Sequence, residues 1–515
     1  MSMRTLLRGG LVADGIGATT RRGDVLIDGP VIASVAAGDL PPGSCEVIEL
    51  APGSVICPGF IDAHVHAEGP LLADGVIEGA LAQGVTTLVA GQDGQSWIGA
   101  TKATADYLNA YFGPVNGTLD PPRDLSVAGF ADALAGRLAQ NVAVLASQGT
   151  IRHNIAGLAG RPLDPDERAA ARQQVEDALA AGAAGLSSGL DYLPSRFGDS
   201  EEIAAMARPL AEAGRPYVSH MRGHGPDVRA ALDELIAVGR SAGARVHASH
   251  LWGPPAAIEA AFAAADADGV PVSFDMYPYR RSSTILAMLV LPPGLQARGP
   301  AAAVSALGDP RQRAELLGGE QFSAGFLGQL YLSCLPAELA ELAGLTIAEA
   351  ARRSGQPPGE WVLGLLASAG LGVGVQQDRP GLDEQELAWL CAHDRHCGGS
   401  DGIYQGQHPH PRGYAAFATL AGQYLAAGPG TGYQVLARHL AATAADVYGL
   451  SGRGRLAPGL AADLCVIAPG GLTARAGYDQ PRLPAAGADL VMVNGVITWR
   501  DGRLVPGARP GRLVS

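Results

Sequence analysis

The chain has 515 residues, 47% hydrophobic and 17% charged, with 37 basic against 50 acidic side chains and a net charge of −13. That much apolar material builds a sizeable core and excludes a disordered chain, and the length suits a large domain plus a smaller one. An acidic protein gains nothing from a phosphate backbone, so nucleic acid is not expected as a partner; no apolar run reaches membrane-spanning length, the N-terminus lacks the unbroken apolar core of a secretory signal, and six scattered cysteines make no disulfide framework, so no membrane association and a cytoplasmic location are expected.

Residues 1–58 read as short strands with tight turns, 24–29 and 31–35 being separated by Gly29-Pro30. The chain from 453 to 515 behaves likewise, with 464–467 and then 490–499 folded back at Asn494-Gly495, the strongest hairpin signal present. The two ends are expected to join in one small β-sandwich domain. Between them, over 59–452, Ala-rich helical stretches alternate with strands near 56–63, 85–91, 142–147, 184–188, 216–220, 245–250, 271–277 and 395–400. This pattern predicts an α/β chain forming a TIM-like (β/α)8 barrel. Pro-rich and helical sequence over ~280–375 reads as an insertion before the last barrel strand, serving as lid or substrate subdomain.

The segment Gly59-Phe60-Ile61-Asp62-Ala63-His64-Val65-His66 is an apolar run ending in His-x-His. Alternate side chains of a strand share a face, so His64 and His66 are aimed together, and imidazole is a good zinc ligand. Of only 12 histidines, His220 and His250 close two further apolar runs, and Asp93 and Asp401 close two more. Five strand-like segments ending in His or Asp make a metal-centre pattern, because chemistry gathers at the C-terminal strand ends of such barrels. Lys102 is the only lysine, so no carboxylated lysine is available near 182–189 to bridge two metals, and Asp93 is the candidate bridge. The zinc-like run Cys391-Ala392-His393-Asp394-Arg395-His396-Cys397 is read as structural, since His393 and His396 would face opposite sides. His408 and His410, flanked by prolines, read as a loop at the barrel mouth.

Taken together, these segments resemble the amidohydrolase superfamily and, within it, the N-acyl-D-amino-acid deacylase (D-aminoacylase) family. The likeness runs the length of the chain. It includes Gly84-Val85-Thr86-Thr87, Gly185-Leu186-Ser187-Ser188-Gly189-Leu190-Asp191-Tyr192, Ser219-His220-Met221-Arg222, Ser249-His250, Met276-Tyr277-Pro278-Tyr279, Ser400-Asp401-Gly402, His410-Pro411-Arg412-Gly413-Tyr414 and Gly459-Leu460-Ala461-Ala462-Asp463-Leu464.

The resemblance implies Zn2+ held tightly by Asp93, His220 and His250, with a possible second divalent metal at His64 and His66. Asp93 stands where that family has a cysteine, and a carboxylate is a harder ligand able to bridge two ions. It further implies that metal-activated water attacks the amide while Asp401 accepts a proton and returns it to the leaving amine, with Asp62 and Ser249 orienting ligands. Other departures concern the substrate: Leu251-Trp252 stands where the family places a lysine for the substrate carboxylate, and Gly223-His224 where an acidic residue is common. Ser147-Gln148-Gly149 stands where a histidine is frequent. Arg412 is then the expected carboxylate grip, Trp252 a stacking surface, and Tyr192 and Tyr277 substrate walls. The expected activity is metal-dependent cleavage of the acyl amide bond of N-acyl-D-amino acids or related amides, the partner being a small-molecule amide; oligomeric state is left open. The alternatives are a cyclic amide or imide hydrolase of the hydantoinase or dihydroorotase type, against which the missing lysine counts, and a non-catalytic scaffold, against which the retained ligands count.

Overall fold

Residues from the two chain ends, more than 400 positions apart, lie side by side: Val55–Pro58 pairs antiparallel with Leu464–Ile467, setting Cys57 opposite Cys465. In the computed structural model, which describes residues 4–41, 43–426 and 428–515, this pair sits inside one nine-stranded sheet. Hydrogen bonding links all nine strands of this sheet, and the strand Arg4–Val12 is bulged between Leu7 and Gly10. The strand pair Ala488–Val493 and Val496–Arg500 turns at Asn494 and Gly495, whose φ values of 47° and 79° are those a tight primed turn requires. The sheet has its own apolar cluster, including Leu7, Val25, Ile56, Leu464 and Met492. The first three residues of the expected 1–58 unit lie outside the described residues.

A second set of strands pairs in parallel. Phe60–Asp62, Val85–Ala90 and Asn141–Val144 are neighbours in that order, and Ala146–Ser147, Leu186–Gly189, Tyr217–His220, Val246–Ala248, Val272–Asp275 and His396–Cys397 form a second ordered run. Hydrogen bonds join the runs, Leu145 N–H to Ala90 O at 3.0 Å and Ala146 N–H to Gly185 O at 2.9 Å. At the far end, Gly402–Ile403 pairs in parallel with Val65–His66, and Ala63 N–H donates to Gly398 O at 2.9 Å. The pairing that starts at 60–66 therefore comes back to 60–66. All six residues of Val85–Ala90 are buried, as a strand covered on both faces requires.

Helices fill the intervals. Pro165–Ala180 opens on a capping box between Asp164 and Glu167, and Val228–Ala242 buries Ala231, Leu232, Leu235 and Val238 and stops at Gly243 with φ 70°. Lys102 opens the helix Lys102–Asn116, where its Nζ meets Asp106 at 2.8 Å on the surface, far from any chemistry that lysine could supply to the strand ends. The segment before His396–Cys397 holds helices, as expected, but also an unexpected antiparallel sheet of Arg281–Ile285, Leu330–Cys334 and Gly374–Asp378. Among the described residues no helix is long and apolar enough to cross a membrane.

Candidate metal centre

Backbone conformation marks the site before any side chain is considered. Asp93, His250 and Asp401 have φ of 56°, 35° and 48°, and they are three of only five non-glycine residues with positive φ among those described. Each such conformation costs on the order of 1 kcal/mol or more and persists where the surroundings enforce it, often at functional sites. Asp93 follows Gly91 (φ 80°), and a Cβ on Gly189 would stand 2.2 Å from Asp93 O, so glycine is required there for the turn to close.

The strand expected to carry His-x-His is broken at 63–64, yet both imidazoles converge. His64 Nε2 lies 3.6 Å from Asp93 Oδ1 and 3.7 Å from Asp401 Oδ1; His66 Nε2 lies 3.6 Å from Asp93 Oδ2 and 3.3 Å from Asp401 Oδ1. On the other side of Asp93, His220 Nδ1 is 3.6 Å from Oδ2 and His250 Nε2 is 3.8 Å from Oδ1, with those two nitrogens 3.1 Å apart. The Asp93 carboxylate thus sits between two histidine pairs. A tetrahedral ion with bonds near 2.1 Å sets its ligand atoms about 3.4 Å apart, and these separations suit it. The buried Asp93 Oδ1 and both ring nitrogens of His64 have no hydrogen-bond partner, so the donor set fits a divalent metal.

Outer contacts fix the ring orientations. His66 Nδ1 lies 3.0 Å from Asn116 Oδ1, His220 Nε2 is 3.4 Å from Asp191 Oδ2, and His64 Nδ1 is 3.4 Å from Asp275 Oδ2. Asp275 also accepts from His250 N–H at 3.0 Å and stands 3.0 Å from His247 Nε2. Asp62 accepts from Ser400 N–H at 2.8 Å, from Ser400 Oγ–H at 2.5 Å and from His64 N–H at 3.3 Å; the buried Ser249 Oγ has no hydrogen-bond partner.

The charges reinforce one another. Burial opposes ionisation of Asp93, but His220, His250 and His64 outweigh it and hold the carboxyl well below the usual range. Burial likewise opposes a charge on His64 and His220, yet Asp275, Asp93 and Asp401 lift His64 to about 9, while Asp93 and Asp191 lift His220 to about 10. Burial works against Asp401 too, and Arg412, His66 and His64 pull its carboxyl down. Four carboxylates therefore hold positive charge at this spot, which is the field a divalent cation enters.

A cavity of about 330 Å³ opens over these groups, lined by His66, Asp93, His220, His250 and Asp401 below and by Tyr192, Trp252, Tyr277 and Arg379 at its walls. Tyr192 Oη lies 2.9 Å from Thr284 Oγ1. Arg412, expected against the substrate, is not among the lining residues: its Nη1 is 2.9 Å from Asp401 Oδ2 and its guanidinium lies 4.5 Å from the Tyr277 ring centroid. Arg412 begins the helix Arg412–Leu425, which leaves the guanidinium buried behind Asp401. The cation at the cavity wall is Arg379, at the end of the inserted sheet, whose Nε and Nη2 donate to Arg280 O and Tyr279 O at 3.0 and 2.9 Å.

The zinc-like run near 391–397 is taken apart by the fold. His393 Nε2 lies 3.5 Å from Glu259, His396 Nε2 donates to Met276 O at 2.9 Å, and neither joins a metal-competent group among the described residues. His408 and His410 contact Tyr478, through its carbonyl at 2.6 Å and its hydroxyl at 3.3 Å. Sequence reasoning assigned no role to Asp191, Asp275, Asn116 or Arg379, and noted His224 only as a departure. Asp275 carried a usable signal, since it ends an apolar run as Asp93 does.

Residues 55–274 match the amidohydrolase family, the class to which paired imidazoles around a carboxylate point. Over 99% of its length the chain is 32% identical to an N-acyl-D-glutamate deacylase and 30% identical to a D-aminoacylase, both from Alcaligenes xylosoxydans xylosoxydans, spanning 96% and 97% of them. The fold is also similar, with TM-score 0.82 and 27% identity over 100% of both chains, to the N-acyl-D-glutamate deacylase of Bordetella bronchiseptica, whose crystal structure is complexed with zinc and a phosphonate mimic of the tetrahedral intermediate. The chain belongs to the N-acyl-D-amino-acid deacylase family of amidohydrolases. It is a hydrolase of linear amide C–N bonds.

Proposed function

We propose that this enzyme removes the acyl group from N-acyl-D-amino acids by attack of activated water. The observation that carries the reading is the Asp93 carboxylate set between His64 and His66 on one side and His220 and His250 on the other, with Asp401 3.3 Å from His66. Zn2+ held by Asp93, His220 and His250, and a second divalent ion shared by Asp93 with His64 and His66, would lower the pKa of water and polarise the amide carbonyl.

Asp401, kept ionised beside Arg412, accepts the proton from the attacking water and delivers it to the leaving nitrogen, acting first as base and then as acid. Arg379 pairs with the α-carboxylate of the substrate; its guanidinium lies 5.4 Å from the Trp252 ring centroid and 5.2 Å from that of Tyr277, so the carboxylate is met between two aromatic walls. Tyr192 bounds the cavity nearer the metal ligands. In this reading Arg412 acts through Asp401 and not on the substrate.

The parallel strands of 59–452 form an eight-stranded (β/α)8 barrel in this proposal, its mouth covered by the 280–375 insertion, and the strands of 1–58 and 453–515 form the small β unit. Cys57, Cys334, Cys391, Cys397 and Cys465, none of them in a disulfide, suit a cytoplasmic enzyme.

The test is amine release from a panel of N-acyl-D- and N-acyl-L-amino acids by enzyme loaded with Zn2+, Mn2+ or Co2+. Turnover confined to the D-series supports the proposal. Opening of cyclic imides with no amine released from any linear substrate would replace it with the cyclic-amide reading, and metal binding without any turnover would leave a scaffold.

A further inference from the structure

Just beyond His220 the chain makes a short excursion before the helix Val228–Ala242, and His224 sits at its tip. The His224 ring centroid lies 5.3 Å from that of His220, at 90°, and 5.3 Å from that of His250, at 51°. One ring nitrogen from each of the three falls within 4.8 Å of the other two. Both nitrogens of His224 are buried and neither has a hydrogen-bond partner. An imidazole has one donor and one acceptor to satisfy, and a histidine with neither satisfied calls for an explanation.

The ring is held in place from behind. Trp252 lies parallel to it, 4° between planes and 6.4 Å between centroids, and Gly225 N–H donates to Trp252 O at 3.0 Å. A Cβ on Gly225 (φ 61°) would meet Trp252 Cη2 at 2.7 Å, so the excursion can close on the indole only with glycine at that position. The loop and the tryptophan together press an unpaired imidazole toward two other imidazoles.

We propose that His224 is a metal ligand, completing with His220 and His250 a three-imidazole site for the more tightly held ion. This rests on the metal-centre reading above and extends it. Such a set is built from nitrogen donors, suits four-coordinate zinc, and also accepts Co2+ and Ni2+. Trp252 is then a positioning residue for His224 as well as a cavity wall.

The experiment compares the wild-type enzyme with His224→Ala, His224→Cys and His220→Ala, each stripped and titrated with Zn2+ against a chromogenic chelator and with Co2+ under visible absorption. His224→Ala is expected to lower Zn2+ affinity of the tight site by more than about 100-fold, above the roughly 10–100-fold effect of removing an outer-shell partner, and to shift the Co2+ ligand-field bands. His224→Cys is expected to recover tight binding and add a sulfur-to-cobalt charge-transfer band, which a merely structural histidine would not give. Thermal midpoints of the metal-free variants report folding separately. If His224→Ala keeps wild-type affinity and an unchanged Co2+ spectrum while His220→Ala loses the metal, His224 is not a ligand and only this inference falls. If His220→Ala also leaves metal binding untouched, the metal-centre reading itself fails.

Discussion

Arg412 Nη1 stands 2.9 Å from Asp401 Oδ2, with the arginine fully buried. A buried guanidinium facing one carboxylate cannot lose it without stranding its own charge, so the pair is fixed as a unit. Arg412→Met is therefore expected to lower kcat by about 100-fold, the scale of one general acid–base contribution, with KM changed by less than roughly threefold. The acidic limb of the kcat profile should move to higher pH, because Asp401 loses the neighbour that keeps it ionised. Arg412→Lys should recover part of kcat, a point charge replacing a planar fork. Steady-state kinetics across pH decide it. A raised KM at unchanged kcat would return Arg412 to the substrate carboxylate.

Arg379 carries the opposite expectation. Its guanidinium is at the cavity wall and is anchored by two backbone carbonyls, so it meets substrate already oriented. Replacing it with Gln removes a charge-assisted contact worth about 1.5–3 kcal/mol, or roughly 10–100-fold in kcat/KM. The loss should appear mainly in KM. It should vanish for substrates whose α-carboxylate is capped as an amide, since those never used the contact. Equal losses on free and capped substrates would show that Arg379 holds the wall together and does not read the carboxylate.

The contrast between these two arginines shows where sequence reasoning stops. The residues that converge at the candidate metal centre were legible because a polar side chain at a strand end leaves a local trace: an apolar run, then His or Asp, as at His220, His250 and Asp93. The order of the parallel strands and the hairpin at Asn494-Gly495 were legible for the same reason, since periodicity and turn chemistry are local. Arg379 left no trace, because it lies at the end of an inserted antiparallel sheet whose strands pair across nearly 100 residues, Arg281 with Asp378. Arg412 sits in a quotable motif, but a motif does not say which way the side chain turns; its place behind Asp401 follows from where the helix Arg412–Leu425 begins. His224 was visible as an unusual residue and meaningless until Trp252 and His250 came beside it.

Asp93 offers a clean dissection of charge from conformation. Its φ of 56° suits Asn nearly as well as Asp, whereas alanine adds strain of about 1 kcal/mol. Asp93→Asn therefore preserves the turn while removing the charge and one of the two carboxylate oxygens that face the histidine pairs. The expected result is a folded protein, with a thermal midpoint near wild type in chelator, that retains markedly less metal after dialysis, its affinity down by at least about 10-fold. Metal content by mass spectrometry gives the answer. Two ions retained per chain in the Asn variant would mean the histidines suffice and the carboxylate does not bridge.

The fate of the zinc-like run yields a prediction about acid stability. His396 Nε2 donates to Met276 O at 2.9 Å, which serves the single N–H of the neutral ring, while Nδ1 lies 3.2 Å from Tyr424 Oη, whose own hydroxyl donates to Cys391 O at 2.9 Å. Burial pushes the pKa of His396 down to about 4, and burial, with the neighbouring His396 ring 5.8 Å away and Arg438 opposing a second positive charge, pushes His439 to about 3. In the unfolded chain both take up protons near pH 6.5, while in the folded protein they do not. Their effect on stability is therefore absent as a penalty above pH 6.5 and grows as pH falls toward 4, because the unfolded state then binds more protons. At about 1.4 kcal/mol per pH unit, His396 alone accounts for a loss of about 3 kcal/mol by pH 4. Urea unfolding of the wild type is expected to show its midpoint falling steadily over that interval, and His396→Gln, which keeps a donor for Met276 O and cannot titrate, is expected to show a shallower fall from a lower starting value. The difference between the two slopes isolates this ring from the carboxylates and from any metal lost in acid; parallel slopes would mean that His396 takes up its proton equally in both states.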